Sequence, residues 1–265
     1  GLDGGWGSNQ FLKNKTIRAS GWFGQSVTNG TVDTNGTSAG VYVEYPNDLF
    51  DAAFLIGTTQ GGFDPQLGFL NRTNYETVQA EVNFEPRWFQ KLGVRKMQFA
   101  LLDLELYRTA FTNYTESFSL NTRPLGFLFK TGDEFGLNFT FFEDGVRGSF
   151  SISDEITISA GRYRYQETTL YFSTFRGRKI QAQFVPTYGT FFGGRKITYE
   201  TTLKSNLSRH FNITLEHTWN KLTFPANEVR SKQVLETNEL ALYPTYSFST
   251  NLTFSVFGQW NSLND

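Results

Sequence analysis

Residues 77–85 alternate strictly: Val78, Ala80, Val82 and Phe84 fall on one face, and Thr77, Gln79, Glu81, Asn83 and Glu85 on the other. A period of two with one apolar and one hydrophilic side predicts a β-strand between two different environments. The pattern recurs. Ile17, Ala19, Gly21 and Phe23 alternate with Arg18, Ser20 and Trp22; Phe135, Leu137, Phe139 and Phe141 with Glu134, Gly136, Asn138 and Thr140. Ile213, Leu215 and Trp219 alternate with Thr214, Glu216 and Thr218, and Ala100, Leu102, Leu104 and Leu106 with Leu101, Asp103, Glu105 and Tyr107. Further strands are predicted over residues 2–11, 41–45, 49–57, 115–129, 165–175, 180–184, 197–203, 235–243 and 248–261. Pro124 predicts a bulge or an early end within the 115–129 strand. No helix of consequence is readable.

The connections have their own pattern. Short turns are predicted at Lys13-Asn14-Lys15, Pro46-Asn47-Asp48, Thr131-Gly132-Asp133 and Arg176-Gly177-Arg178, and near Asn206 and Pro244. Long loops are predicted at 26–38 (with the pairs Asn29-Gly30 and Asn35-Gly36), 58–74, 143–163 and 224–233, with another at Gly189 to Arg195. Short turns alternating with long loops, joined by strands of about ten residues, fit an outer-membrane barrel with periplasmic turns and external loops. A soluble sandwich or lipocalin-like barrel has no need of that rhythm. The expectation is an all-β, antiparallel up-and-down transmembrane β-barrel, one domain over residues 1–265, with about 14 strands visible. On this topology the first strand begins, and the last ends, on the loop side. One more strand at each end, roughly 16 in a longer parent chain, would restore an even count with periplasmic termini and cover both edges. Direct pairing of the first and last strands is the other solution. Met97 is the only methionine, so the chain is expected to be processed or part of a longer frame.

Composition sharpens this picture. A mean hydropathy of -0.38 looks soluble, yet 28 Phe, 12 Tyr and 5 Trp are present. A barrel reconciles the two, since only alternate residues need be apolar while aromatic girdles mark both interfaces. No run approaches the ~20 apolar residues of a membrane helix. A net charge of -1 leaves no footprint for nucleic acid. Cysteine is absent, which removes disulfides and thiol chemistry and tilts the compartment towards the bacterial envelope.

Phe63-Asp64-Pro65-Gln66-Leu67-Gly68-Phe69-Leu70-Asn71-Arg72-Thr73 resembles a motif of uncharacterised bacterial outer-membrane proteins that carry an N-terminal family-nine-type carbohydrate-binding module and a C-terminal β-barrel. Gly1-Leu2-Asp3, Gly161-Arg162-Tyr163 and Gln259-Trp260-Asn261-Ser262 resemble the same barrel, collinearly over most of the chain. The resemblance implies an outer-membrane barrel and the proximity of a glycan-binding module. That module is not among these residues, and the family supplies no activity to carry over.

Candidate chemistry lies on the hydrophilic faces and in the loops. Glu81, Asp103, Glu105, Asn138, Glu200 and Glu216 are predicted to line a lumen, together with Arg18, Lys179, Lys196 and Lys204. The set describes either a solvated mixed-charge wall or a selective pore. Phe63, Asp64, Pro65, Gly68, Phe69 and Arg72 are candidates to anchor a partner or glycan from outside, or to fold inward as a plug. His210 and His217 are the only histidines; His217 shares its face with Leu215 and Trp219, which disfavours a Ser–His lipid-acting enzyme. Asn-x-Ser/Thr triplets read as wall composition, because Asn and Thr two apart share a strand face. No metal or cofactor is expected. The expected partners are outer-membrane lipid or lipopolysaccharide, with glycan or other envelope proteins at the loops. The functional expectation is a non-enzymatic pore or transport channel, or the membrane anchor of a surface glycan-binding module. A structural subunit of an envelope complex is the alternative.

Overall fold

A computed structural model describes residues 1–28, 34–65, 68–226 and 233–262. The strands are β1 Leu2–Phe11, β2 Lys15–Thr28, β3 Thr34–Pro46, β4 Phe50–Thr59, β5 Tyr75–Phe84, β6 Val94–Met97, β7 Phe99–Thr109, β8 Thr115–Phe129 and β9 Glu134–Val146. They continue with β10 Phe150–Ser153, β11 Ile156–Ile158, β12 Gly161–Ser173, β13 Ile180–Phe191, β14 Gly194–Asn206, β15 Phe211–Phe224, β16 Gln233–Ser249, β17 Leu252–Ser255 and β18 Gly258–Asn261. A single turn of 3-10 helix, Gln90–Leu92, precedes β6.

Sixteen strands form one antiparallel up-and-down sheet, and β10 and β11 form a separate hairpin. The fold is all-β, as the alternation predicts. Both β6 and β7 pair with β8, and both β17 and β18 pair with β16, so each couple fills one place in the sheet and fourteen places result. Among the described residues, β1 pairs with β2 alone and β17–β18 with β16 alone.

The register divides the sheet into two faces, because directly opposed residues share a side. One row runs Arg18, Glu44, Ala53, Glu81, Asp103, Asn121, Thr140, Glu167, Gly189, Lys196. The opposite face carries Phe23, Val41, Ile56, Phe139, Leu170, Phe184, Tyr199 and Leu240, all exposed. On that apolar face the only charged strand residues lie within four positions of a strand end, such as Lys15, Arg108, Glu143, Arg164 and Lys221. Between them is a charge-free band; the run from Phe135 to Phe141 spans six residue steps, roughly 20 Å along the strand. Clustered aromatics mark one border of the band. Phe50 stacks on Phe84 at 4.6 Å, Phe84 meets Trp88 at 5.6 Å, and Tyr246 meets Phe248 at 4.7 Å.

The connections also fall at two ends. The turns after β1, β3, β8, β12, β14 and β16 lie at one (the turn end), together with the excursion 85–98. Segments 60–74 and 147–160 lie at the other (the loop end). The rhythm is less regular than expected. Residues 110–114 and the pair Phe192–Gly193 make tight turns at the loop end. Phe192 has φ 45° and Gly193 φ 81°, and two positive-φ residues are what a two-residue hairpin turn requires. The predicted loop at Gly189 to Arg195 is therefore strand except for its centre.

Several other boundaries move. Asn35-Gly36 lies inside β3, while Asn29-Gly30 lies outside the described residues. The excursion predicted from Glu143 to Tyr163 is shorter: β9 runs on to Val146 and β12 starts at Gly161. A register shift between Val82 and Asn83 puts Ala100 opposite Asn83 and Arg123, on the polar face and not with Leu102. The bulge expected at Pro124 is present as the shift between Thr122 and Leu125. Pro244 does not end a strand. It sits within β16 opposite Ile213, its other edge faces the break between β17 and β18, and its missing N–H is tolerated there.

Candidate functional site

The polar face gathers the titratable groups. Glu81, Asp103, Glu105, Asn138, Glu200 and Glu216 all lie on it, as their common phase requires. Lys196 and Lys204 share it, whereas Lys179 sits in the turn before β13 and not in the wall. Over the described strands, its acids are Asp3, Glu44, Asp51, Glu81, Asp103, Glu105, Glu134, Asp144, Glu167, Glu200, Glu216 and Glu239. Its bases are Arg18, Lys96, Arg123, Lys196 and Lys204. Three cations are neutralised, Arg18 by Glu44 at 2.8 Å, Lys196 by Glu167 at 2.7 Å and Lys96 by Glu85 at 2.6 Å.

The predicted wall residues fall into two groups. Glu81, Asp103 and Glu105 line one recess of about 390 Å³ with Tyr42, Gln79 and Ser119. Neutral amides hold them: Asn83 Nδ2 donates to Glu81 at 2.6 Å, Asn121 Nδ2 to Asp103 at 3.3 Å, and Gln79 Nε2 to Glu105 at 3.2 Å. None of the three has an ion-pair partner among the described residues. Glu81 stands directly opposite Asp103, an arrangement of like charges that costs stability unless a cation or water intervenes.

Asn138 belongs to a different environment. Arg123 Nε donates to its Oδ1 at 2.8 Å, and it heads a row through Thr169, Thr187, Thr198, Asn220 and Thr237. Thr169 and Thr187 hydroxyls lie 3.0 Å apart, Thr198 donates to Asn220 at 2.8 Å, and Asn220 Nδ2 to Thr237 at 3.3 Å. This neutral ladder was hidden in the sequence, because its members come from six strands. The recurring inward Thr and Asn were its only trace. Glu200 and Glu216 flank it as exposed carboxylates.

Two segments cover the polar face at the loop end. In the first, Ser26 Oγ donates to the Gly62 carbonyl at 3.5 Å and accepts from Asp64 N at 2.8 Å. A side chain at Gly36 would collide with the Phe63 backbone, so glycine permits this close approach. Pro65 turns the loop, its carbonyl accepting from Gly68 N at 2.6 Å. The returning arm is fixed by Arg72, whose guanidinium lies 4.2 Å from the Tyr107 ring centre and donates to Ser117 Oγ at 3.2 Å. Phe69 projects away, 87% exposed; Gln66 and Leu67 lie outside the described residues. The second cover is the β10–β11 hairpin. Ile156 and Ile158 bury against Phe224, with Tyr163, Phe191, Leu222 and Leu235 of the polar face around them. Gln233 Nε2 also donates to the Glu155 carbonyl.

The histidines are placed elsewhere. His217 lies on the apolar face and hydrogen-bonds Asn238 at 3.3 Å, and His210 sits in the turn before β15, bonded to the Ser247 carbonyl at 2.8 Å. Among the described residues no group of three His, Asp or Glu side chains could hold a metal ion. Among the same residues no helix is long and apolar enough to cross a membrane, which leaves crossing by strands untouched. Compared with known proteins, the sequence matches no family model and no curated protein.

Proposed function

We propose that the chain forms the wall of a bacterial outer-membrane β-barrel whose polar face encloses a water-filled passage favouring cations. The supporting observation is the separation of the two faces. The apolar face offers a charge-free band bordered by aromatic and charged residues, the profile of a lipid-facing barrel wall. The polar face carries a strong excess of carboxylates, three of them in one recess without a cation. Carboxylate-lined pores draw cations and repel anions. Reconstitution into planar bilayers under a potassium chloride gradient tests the reading. A reversal potential of the sign given by potassium permeation is expected. An anion-selective current would overturn the charge argument.

One observation favours a second reading. Both covers lie across the polar face at the loop end, as suits a closed barrel that anchors a surface glycan-binding module, the arrangement the sequence resemblance implies. Stable bilayer insertion without conductance would select it.

A further inference from the structure

The turn end carries an unusual charge pattern. Its connections contain three acidic side chains, and each is taken: Asp48 by Arg87 at 2.7 Å, Glu85 by Lys96 at 2.6 Å, and Asp133 by Arg178 at 2.6 Å. Lys13, Lys91, Arg95, Lys130, Arg176, Lys179 and Arg209 remain, all exposed and without an ion pair among the described residues. At the loop end the described connections hold Arg72 and Arg147 against Asp64, Asp154 and Glu155. Among the described connections, the cationic surplus belongs to the turn end.

Large apolar side chains are interleaved with these cations. Leu12 adjoins Lys13; Trp88, Phe89 and Leu92 lie among Arg87, Lys91 and Arg95; Phe175 precedes Arg176, and Leu207 is two residues before Arg209. Leu92 is 77% exposed and Leu12 70%. The segment from Arg87 to Leu92 is exposed throughout.

We infer that the turn end binds the phosphates of anionic glycerophospholipids, its cations meeting the headgroups while Trp88, Phe89, Leu92 and Leu207 enter the acyl boundary. The inference rests on the membrane-spanning reading above and names the leaflet chemistry at one of its ends. Three observations select this partner. Exposed apolar side chains beside free cations are the composition of a lipid interface. The cations come from five separate connections along the sheet, which suits a layer of small headgroups better than one localised protein epitope. The turns after β1, β8, β12 and β14 are short, so their charges stay close to the edge of the apolar band. In the longer excursion Trp88 packs on Phe84 and Phe99 at that edge, at 5.6 and 6.1 Å. At the loop end, by contrast, the outward-facing Arg162 and Arg164 are both taken by Glu143, at 2.6 and 2.7 Å.

The test uses the whole chain in a neutral detergent, with lipid binding counted by native mass spectrometry. Phosphatidylglycerol should be retained over phosphatidylcholine by about tenfold or more at low salt. The preference should shrink towards parity in 0.5 M sodium chloride, roughly, because exposed charges are screened. The variant K91E/R95E/R176E/R209E should lose the preference, with its sheet content checked by circular dichroism. A second variant, K13E/K130E/K179E, repeats the test should the first not fold. No preference in the native chain, or one that survives these changes, overturns the inference. So does stronger retention of lipid A than of phosphatidylglycerol. Flotation with phosphatidylcholine vesicles separates the two levels. Flotation without a phosphatidylglycerol preference removes this inference and leaves the spanning wall, whereas failure to float removes both.

Discussion

The two covers of the polar face do the same geometric job by different means. The β10–β11 hairpin is held by apolar burial, with Phe224 only 1% exposed beneath Ile156 and Ile158. Segment 60–74 buries little. Hydrogen bonds of Ser26 and a guanidinium stacked on Tyr107 hold it, and Phe69 stays in solvent. Buried apolar contacts fail together, while polar pins fail one at a time. The hairpin is therefore expected to act as a fixed plate, and the arms of segment 60–74 to release first.

The largest expected effect breaks the plate. Phe224→Ala should cost about 3–5 kcal/mol, the range for emptying a fully buried aromatic site. Amide exchange should then accelerate over 150–158 while segment 60–74 keeps its protection. Equal acceleration in both covers would show that they move as one.

A change in the wall that supports both covers comes next. On the membrane reading, Leu137→Arg points a charge into the lipid band and should cost about 2–4 kcal/mol. Glu200→Arg, at an exposed position on the polar face, should be mild. Denaturant titration in lipid vesicles compares them, and equal costs would remove the distinction between the faces.

Arg72→Ala should cost about 1–2 kcal/mol, from the lost stacking on Tyr107 and the bond to Ser117. Its sharper readout is current: conductance should rise if segment 60–74 is the obstructing cover and stay unchanged if the hairpin is. Ser26→Ala removes one pin of the other arm, about 0.5–1.5 kcal/mol, and should add to the Arg72 effect because the two pins share no partner.

The smallest effect lies far from both covers and serves as a reference for them. The Asp133 carboxyl is held below the usual aspartate value by the Phe175 backbone N–H, then by the Thr131 hydroxyl and Arg178. A lowered value means that its contribution to stability is full above the unfolded aspartate range and is lost as pH falls through the lower folded value. Asp133→Asn should flatten that part of the acid limb in a thermal-melt series, at pH values below about 4, and leave both covers untouched. An unchanged acid limb would assign the titration to other carboxylates.

The two faces were legible in the sequence because strand side chains alternate, so the phase of Val78 or Leu137 fixes the side of Glu81 or Asn138. The recess is legible only in part: phase puts three carboxylates on one side of adjacent strands, while the register that sets Glu81 opposite Asp103 comes from the pairing. The covers are not. No periodicity governs a connection: the stretch from Phe63 to Arg72 reads equally as an external anchor or an inward plug, and its sequence does not single out Gly36 as the place where Phe63 turns back. Pro244 misleads for a related reason, since its tolerance depends on a break in β17–β18 that only the pairing reveals.

The meander has a kinetic consequence. Nearly every ladder joins strands that follow one another in sequence, with the hairpin between β9 and β12 as the main interruption. Each hairpin then closes a loop of modest length, and the entropy of closure grows only slowly with that length. Assembly can therefore run as successive zippering onto an edge already built, without a search for distant partners. The two-residue turn at Phe192–Gly193, already bent in the sense that hairpins need, is a natural starting point.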